Sequence, residues 1–373
     1  MKSILLCLLV LFGPFLRCGS AADLQPPTLA LGASAPEFSL PGVDGCAWAL
    51  KDFAAAKVLV VVFTCNHCPT AQYYEERLKR FVADYSSKHV ALVAISPNDP
   101  HSVRLDELGW SDLGDSFAEM KLRAKERQFN FPYLYDGDTE TVARAYGPVA
   151  TPHAFVFDAA RKLRYVVRID DSERSPHVKV RNLRDAVEAL LAGTEPPVAA
   201  TKVVGCSVKW AGKSESVRAY LDQLAAEPVA VGLADAAALK ALRQGNPGKF
   251  RLVNFWATWC APCVAEFNEL VTINRMYRHR EFELVTVALN RPDEESQVLA
   301  FLKKQGASNR NLLFASTERD KLIDAFESSW QGQVPYTVLL SPEGEVVYRE
   351  TGTFDALALK RAIQKALNAR KPW

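Results

Sequence analysis

The sequence predicts an α/β protein made of two similar domains in tandem, and three observations lead there. Two short apolar runs, Lys57 to Thr64 and Leu252 to Trp256, each lead into a Cys-x-x-Cys pair followed by helical spacing. Nearly unbroken apolar runs of that length suit strands buried on both faces. After each pair the same order returns: another apolar strand, a helix, and a terminal hairpin opened by Pro152 or Pro335. A repeat this long implies two complete domains, not a solenoid. Length agrees, since 373 residues exceed what a single hydrophobic core commonly serves.

Residues 1–22 read as a signal peptide. Met1-Lys2 precedes an apolar stretch from Ile4 to Phe12, and Gly19-Ser20-Ala21-Ala22 offers small residues for cleavage near Ala22. The apolar stretch falls short of the roughly twenty residues of a spanning helix. Arg17 argues against lipid attachment at Cys18; an uncleaved anchor is the alternative. No later run is long enough to cross a bilayer, so no membrane contact is expected beyond this segment. Losing Lys2 and Arg17 from 45 basic residues leaves the chain balanced against its 43 acidic ones. That balance gives no reason to expect nucleic acid or an anionic membrane surface as a partner. Six cysteines remain, at 46, 65, 68, 206, 260 and 263, an even number that fits an oxidising compartment.

The first domain is placed at residues 27–210. Lys57 to Thr64 is its first core strand, and a helix runs from behind Cys68 through Tyr73, Arg77, Leu78 and Phe81. Val90 to Ser96 is the next strand, and Ser116 to Gln128 a charged helix. Phe131 to Tyr135 adds a short strand and Thr139 to Tyr146 a helix. Thr151 to Asp158 and Lys162 to Val167 read as an antiparallel pair, and Asn182 to Leu191 as a closing helix. The second domain, residues 211–373, repeats this with strands at 252–256, 282–289, 334–340 and 345–348 and helices at 296–305 and 356–367. The longer spacing from Cys65 to Pro152 than from Cys260 to Pro335 puts an insertion in the charged region 99–115. Gly193 to Thr201 is linker-like.

A cysteine where a strand turns into a helix sits among unpaired N–H groups and the positive end of the helix dipole. Its thiolate then forms more readily than at the free-thiol pKa of about 8.5. Structural zinc would require a second ligand pair, and the second half offers only His279. A purely structural bond is disfavoured because so short a loop restrains little. The residues thus point to a reversible dithiol–disulfide couple, with no metal and no cofactor beyond the redox-active disulfides.

Trp259-Cys-Ala-Pro-Cys263 resembles the thioredoxins, more narrowly the extracytoplasmic TlpA-like and cytochrome-maturation members, from about Pro228 to the C-terminus. The first domain resembles the redoxin (AhpC/TSA-like) domains through Ala35-Pro-Glu-Phe-Ser-Leu-Pro, Val43-Asp-Gly45, Leu50 to Phe53 and Cys65-Asn-His-Cys68. The resemblance implies thioredoxin-like folds, each a central mixed sheet flanked by helices. It implies exchange of dithiols and disulfides on protein substrates, an electron donor as second partner, and a bacterial periplasm or envelope. Cys65 and Cys260 would be the exposed nucleophiles, with Cys68 and Cys263 resolving the mixed disulfide. Pro152 and Pro335 would be cis, with Thr151 and Val334 offering backbone groups to an extended client segment and Trp259 beside it. Related cytosolic proteins place an Asp where Asn254 stands. Glu266, on the same side of its helix as Cys263, matches the alternative proton acceptor.

The first domain departs from that pattern, with Leu59 and Ala71 where the two carboxylates would lie and His67 between the cysteines. A protonated His67 would lower the Cys65 pKa and make the first pair more oxidising than the second. His101, His153 and His177 read as loop or core residues. Gly205-Cys-x-x-Lys-Trp210 closes the domain as in related two-part redoxins. Cys206 could pair with Cys46, relay the Cys65–Cys68 disulfide, or stay free. Two alternatives to the oxidoreductase are carried. One is a thiol peroxidase, although Val61 and Cys65 occupy the places where peroxiredoxins have Pro and Thr. The other is a copper-handling module using Cys65, Cys68 and a histidine, without a Met-rich or His-rich stretch to support it.

Overall fold

The computed structural model describes residues 25–370; the signal-peptide segment lies outside the described residues. The first domain runs β1 (Ser39–Pro41), β2 (Ala47–Ala49), β3 (Val58–Phe63), α1 (Pro69–Tyr85), β4 (Val90–Ser96), α2 (Phe117–Arg127), β5 (Tyr133–Tyr135) and α3 (Thr141–Tyr146). It continues with β6 (Ala150–Thr151), β7 (His153–Phe157), β8 (Leu163–Val167), α4 (Asn182–Leu191) and β9 (Cys206–Ser207). Then follow α5 (Ser214–Ala225), β10 (Gly232–Ala234), α6 (Ala236–Arg243), β11 (Phe250–Trp256), α7 (Ala261–Tyr277), β12 (Phe282–Ala288) and α8 (Glu295–Gln305). The chain closes with β13 (Arg310–Phe314), α9 (Arg319–Phe326), β14 (Tyr336–Leu340), β15 (Val346–Thr351) and α10 (Ala356–Arg370).

The first sheet is mixed, in the order β5-β4-β3-β7-β8, with β3, β4 and β5 parallel and β7 and β8 antiparallel. The continuous apolar run of β3 has a physical reason, because side chains alternate across a strand and both faces here meet a core. Leu59, Val61 and Phe63 enter one core, with Tyr146, Phe155 and Trp210. Val58, Val60 and Val62 enter the other, with Leu78, Phe81 and Val187. The second sheet repeats this centre in the order β10-β13-β12-β11-β14-β15, and β11 is buried along its whole length. Both domains are thus α/β, a mixed sheet flanked by helices in the thioredoxin-like arrangement. Thr151–Pro152 and Val334–Pro335 are cis.

The insertion at 99–115 holds the domains together. It forms short 3-10 turns at Pro100–Ser102 and Leu105–Trp110, and the second of them lies on the C-terminal end of α7. Leu105 and Leu108 pack against the second domain's core. A Cβ on Gly109 would stand 2.5 Å from the Met276 carbonyl oxygen, so only glycine permits the approach. Arg280 donates to the Gly109 carbonyl at 2.9 Å and stacks 3.7 Å over Trp110. Tyr277 Oη donates to Ser111 O at 3.1 Å, and Arg361 reaches Asp112 at 3.0 Å. Helix α5 also touches the insertion, through Pro100–Ser102.

Candidate redox sites

In the second domain β11 delivers the chain to Ala257-Thr258-Trp259, and Asn290 pins this loop. Its Oδ1 accepts from Thr258 N at 3.0 Å, and its Nδ2 donates to Thr258 Oγ1 at 2.7 Å. Cys260 caps α7 and is disulfide-bonded to Cys263. The Cys263 N–H donates to Cys260 Sγ at 3.3 Å, so the first helical turn points a donor at that sulfur. Cys260 Sγ lies 3.6 Å from the carbonyl oxygen of Val334, the residue before cis-Pro335. Cys260 is 6% exposed and Cys263 1%. Trp259 stands out at 55% exposure, with the Arg319 guanidinium 5.4 Å from its ring centre.

Glu266, one turn further along α7, is half-buried. It accepts from Phe354 N at 3.2 Å and from Asn254 Nδ2 at 3.5 Å. Burial pushes its pKa up to about 7 despite those two donors.

The first domain uses the same frame in a different phase. Phe63 pairs with His153, the residue after Pro152, as Phe255 pairs with Tyr336, the residue after Pro335. Counted from these partners, Cys68 stands where Cys260 does, Cys65 where Ala257 does, and Ala71 where Cys263 does. Helix capping agrees, since Cys68 is the N-cap of α1 with Pro69 in the first turn. As a thiol Cys68 donates to Thr151 O at 3.1 Å, the counterpart of the Cys260–Val334 approach.

Spacing assigned Cys65 as the exposed nucleophile, but both cysteines are buried, Cys65 at 3% exposure and Cys68 at 0%. Cys65 sits in the loop before the helix, 3.1 Å from Thr151 Oγ1. Its burial, with the Cys68 contact and the Asp115 charge, raises its pKa. At Cys68 burial opposes ionisation, but hydrogen bonds from Cys206 and Cys65 and the His67 charge outweigh it and lower the pKa. Spacing alone could not show this, because both pairs read Cys-x-x-Cys while their phase against the helix start differs.

His67 is buried, and its Nδ1 lies 2.6 Å from Asp115 Oδ2. Asp115 also accepts from Asn66 N at 2.8 Å, His67 N at 3.1 Å and Asn98 Nδ2 at 2.7 Å. Burial works against charge on both groups, yet their mutual attraction and these donors win: the His67 pKa is raised and the Asp115 pKa lowered. Asp115 was not singled out from the sequence. It comes from the end of the insertion, and no local pattern links it to the cysteines. Among the described residues, Cys65, His67 and Asp115 place donor atoms within 4.8 Å of one another, a set able to hold a metal ion.

Cys206 does not pair with Cys46. Cys46 is exposed and free in the turn of the opening hairpin, where its N–H donates to Asp44 Oδ1 at 3.0 Å. Cys206 instead packs on Cys65, Cys68 and Ala71. Thr151 is fully buried and paired in an antiparallel ladder with Cys206. Val334 has no strand paired to it among the described residues. A cleft of about 380 Å³ lined by His67, Pro69, Glu107, Trp110, Cys206 and Lys209 leads to the first site. His153 is stacked on Phe155 inside the domain, and burial lowers its pKa to about 4.

Two thioredoxin-like sheets, each with a cysteine capping a helix beside a cis-proline, define a protein of the thiol-redox class. Residues 31–166 match the AhpC/TSA family and residues 228–364 the family described as Redoxin, so the chain carries two redoxin/AhpC-TSA domains in tandem. It is 35% identical over 125 residues to the thiol-disulfide oxidoreductase ResA of Bacillus subtilis, covering 34% of this chain and 63% of that protein. The thiol:disulfide interchange protein HelX of Rhodobacter capsulatus is 35% identical over 60 residues, covering 16% of this chain and 31% of that protein. The chain therefore spans less than two thirds of the curated relatives it matches. A solved structure of a hypothetical protein from Sinorhizobium meliloti is 32% identical, with a TM-score of 0.44, over 50% of this chain and 97% of that one.

Proposed function

We propose that this chain is an exported thiol–disulfide oxidoreductase, acting on protein thiols and disulfides of the bacterial envelope through a redox site in each domain. The observation that carries this reading is the Cys260–Cys263 disulfide at the start of α7, facing Val334 and backed by Glu266. In the reducing direction the Cys260 thiolate attacks a client disulfide and one client sulfur leaves. Cys263 then passes its proton to Glu266 and attacks the Cys260 sulfur, releasing the second client thiol and restoring the disulfide. Exposed Trp259 and the unpaired Val334 backbone give the client segment a surface to lie on.

The first site is proposed to be the more oxidising. A thiolate stabilised at Cys68, with protonated His67 behind it, favours the reduced form and strengthens the disulfide as an oxidant. Redox titration of chains retaining only one pair tests this. A first-site potential tens of millivolts above the second supports it, each 30 mV being about 1.4 kcal/mol for two electrons. Coincident or reversed potentials would sink it. Insulin reduction that survives Cys260→Ser would remove the second site from the mechanism.

A second reading draws on the AhpC/TSA match over residues 31–166: thiol-dependent peroxide reduction at Cys68. Rapid consumption of stoichiometric hydrogen peroxide, lost in Cys68→Ser, would favour it.

A further inference from the structure

Three cysteines of the first domain converge on one residue. Thr151 accepts from Cys68 through its carbonyl at 3.1 Å, holds Cys65 at 3.1 Å through its hydroxyl, and faces Cys206 across the β6–β9 ladder. The tail bearing Cys206 is built to stay there. Gly205 adopts φ +141°, and a Cβ on it would stand 2.1 Å from Thr151 O, so glycine alone lets the tail approach. Beyond Cys206, Val208 and Trp210 are buried in the core beneath β3. Lys209 N donates to Asn98 Oδ1 at 2.9 Å, and the same Asn98 donates to Asp115, tying the tail to the His67–Asp115 pair. Cys206 is the half-buried residue between this anchored end and the exposed Val203 and Val204.

We propose that Cys206 is a third redox-active cysteine of the first domain, which resolves the mixed disulfide formed on Cys68 and yields a Cys68–Cys206 disulfide. The inference rests on reading the first domain as a thiol–disulfide exchange site. A Cys68 thiolate attacks one sulfur of a small disulfide that enters through the cleft. The substrate S–S bond breaks, Cys68 becomes joined to one half, and the other half leaves as a thiolate that takes up a proton. Cys206 then gives up its proton and attacks the Cys68 sulfur. The mixed disulfide breaks, Cys68–Cys206 forms, and the second half leaves with that proton. Two protein thiols are oxidised and one disulfide is reduced to two thiols.

The electrostatics suit this order. The Cys206 pKa is raised chiefly by its hydrogen bond to Cys68, then by burial. Once Cys68 is tied up in a disulfide that restraint is gone, and Cys206 ionises more easily at the moment it is needed.

The test uses the full chain, reduced, exposed to stoichiometric glutathione disulfide, quenched with N-ethylmaleimide and mapped by peptide mass spectrometry. The expected product links Cys68 to Cys206, is retained in Cys65→Ser, and returns to thiols in dithiothreitol. In Cys65→Ser/Cys206→Ser, glutathione should accumulate on Cys68 about tenfold over Cys65→Ser. Cys206 fully alkylated beside a Cys65–Cys68 disulfide would overturn the inference and leave the oxidoreductase reading standing. A bond that resists dithiothreitol would make Cys206 a structural staple and overturn it too. If no first-domain cysteine oxidises while Cys260–Cys263 does, the exchange reading of that domain falls along with the inference.

Discussion

Cys68 and Cys260 occupy the same place in their two domains: each caps the helix after the central strand and lies against the carbonyl of the residue before a cis-proline. The partner cysteines differ. Cys263 lies one turn inside α7, whereas Cys65 lies upstream in the loop and Ala71 fills the inner position. One fold thus presents the same sulfur with its Cys-x-x-Cys partner on opposite sides.

Cys68→Ser should abolish capture of small disulfides by the first domain, by about a hundredfold or more, while Cys65→Ser should retain it. Release of nitrothiobenzoate from Ellman's reagent, in chains with Cys260 and Cys263 replaced by Ser, reads this directly. Capture lost in Cys65→Ser and kept in Cys68→Ser would restore the assignment read from spacing.

Asp115→Asn should destabilise the first domain by about 3–5 kcal/mol, because it strands a buried imidazole that was paired. Signs follow from the two shifts. The Asp115 pKa is lowered, so its contribution holds above about 3.8 and is lost as pH falls through the folded value. The His67 pKa is raised, so its contribution is complete below about 6.5 and is lost as pH rises through the folded value. Urea unfolding across pH should show both flanks in the native chain and neither in the variant. The Cys68 thiolate absorbance should titrate at higher pH in Asp115→Asn, a change that mere loss of packing would not produce.

With its pKa near 7, Glu266 is poised to accept a proton at neutral pH. Glu266→Gln should slow release from the Cys260 mixed disulfide by about 10²- to 10⁴-fold at pH 8. Trapping should be affected far less. The rate in the native chain should rise through about pH 7, and that inflection should vanish in the variant. A raised carboxyl pKa also means the folded chain holds this proton more tightly than the unfolded one. Stability therefore falls as pH rises from about 4.5 to 7, and the variant should escape that loss.

Gly205→Ala should dislodge the tail, at a cost of about 1–3 kcal/mol. The readout is the alkylation rate of Cys206, which should rise well above that of the native chain while Cys260–Cys263 chemistry stays unchanged. An unchanged rate would mean the β6–β9 ladder does not shield this thiol.

Much of the framework could be read from residues alone. The runs Lys57 to Thr64 and Leu252 to Trp256 announce doubly covered strands because most of their side chains are apolar. The strands span Val58–Phe63 and Phe250–Trp256, and both faces of β3 do meet a core. Pro152 and Pro335 mark the openings of β7 and β14, since proline is tolerated where a strand begins. Strand β13 and helix α9 escaped notice, as did β10 and α5, because their runs are short and their periodicity is diluted by charge.

The sequence by itself determined two tandem α/β domains, a cysteine at each strand-to-helix turn, and a proline opening a later strand, because these follow from local spacing and propensity. That the proline faces the cysteine came from the family resemblance and the fold. Tertiary structure decided which sulfur caps each helix against the proline loop, what holds His67, and where Cys206 goes. Each of those depends on contacts between segments far apart in the chain: Asp115 from the insertion, Thr151 from the proline loop, Gly205 and Cys206 from the tail. Spacing along a chain records neither the phase of a motif against its helix nor the partner that a distant backbone brings to it.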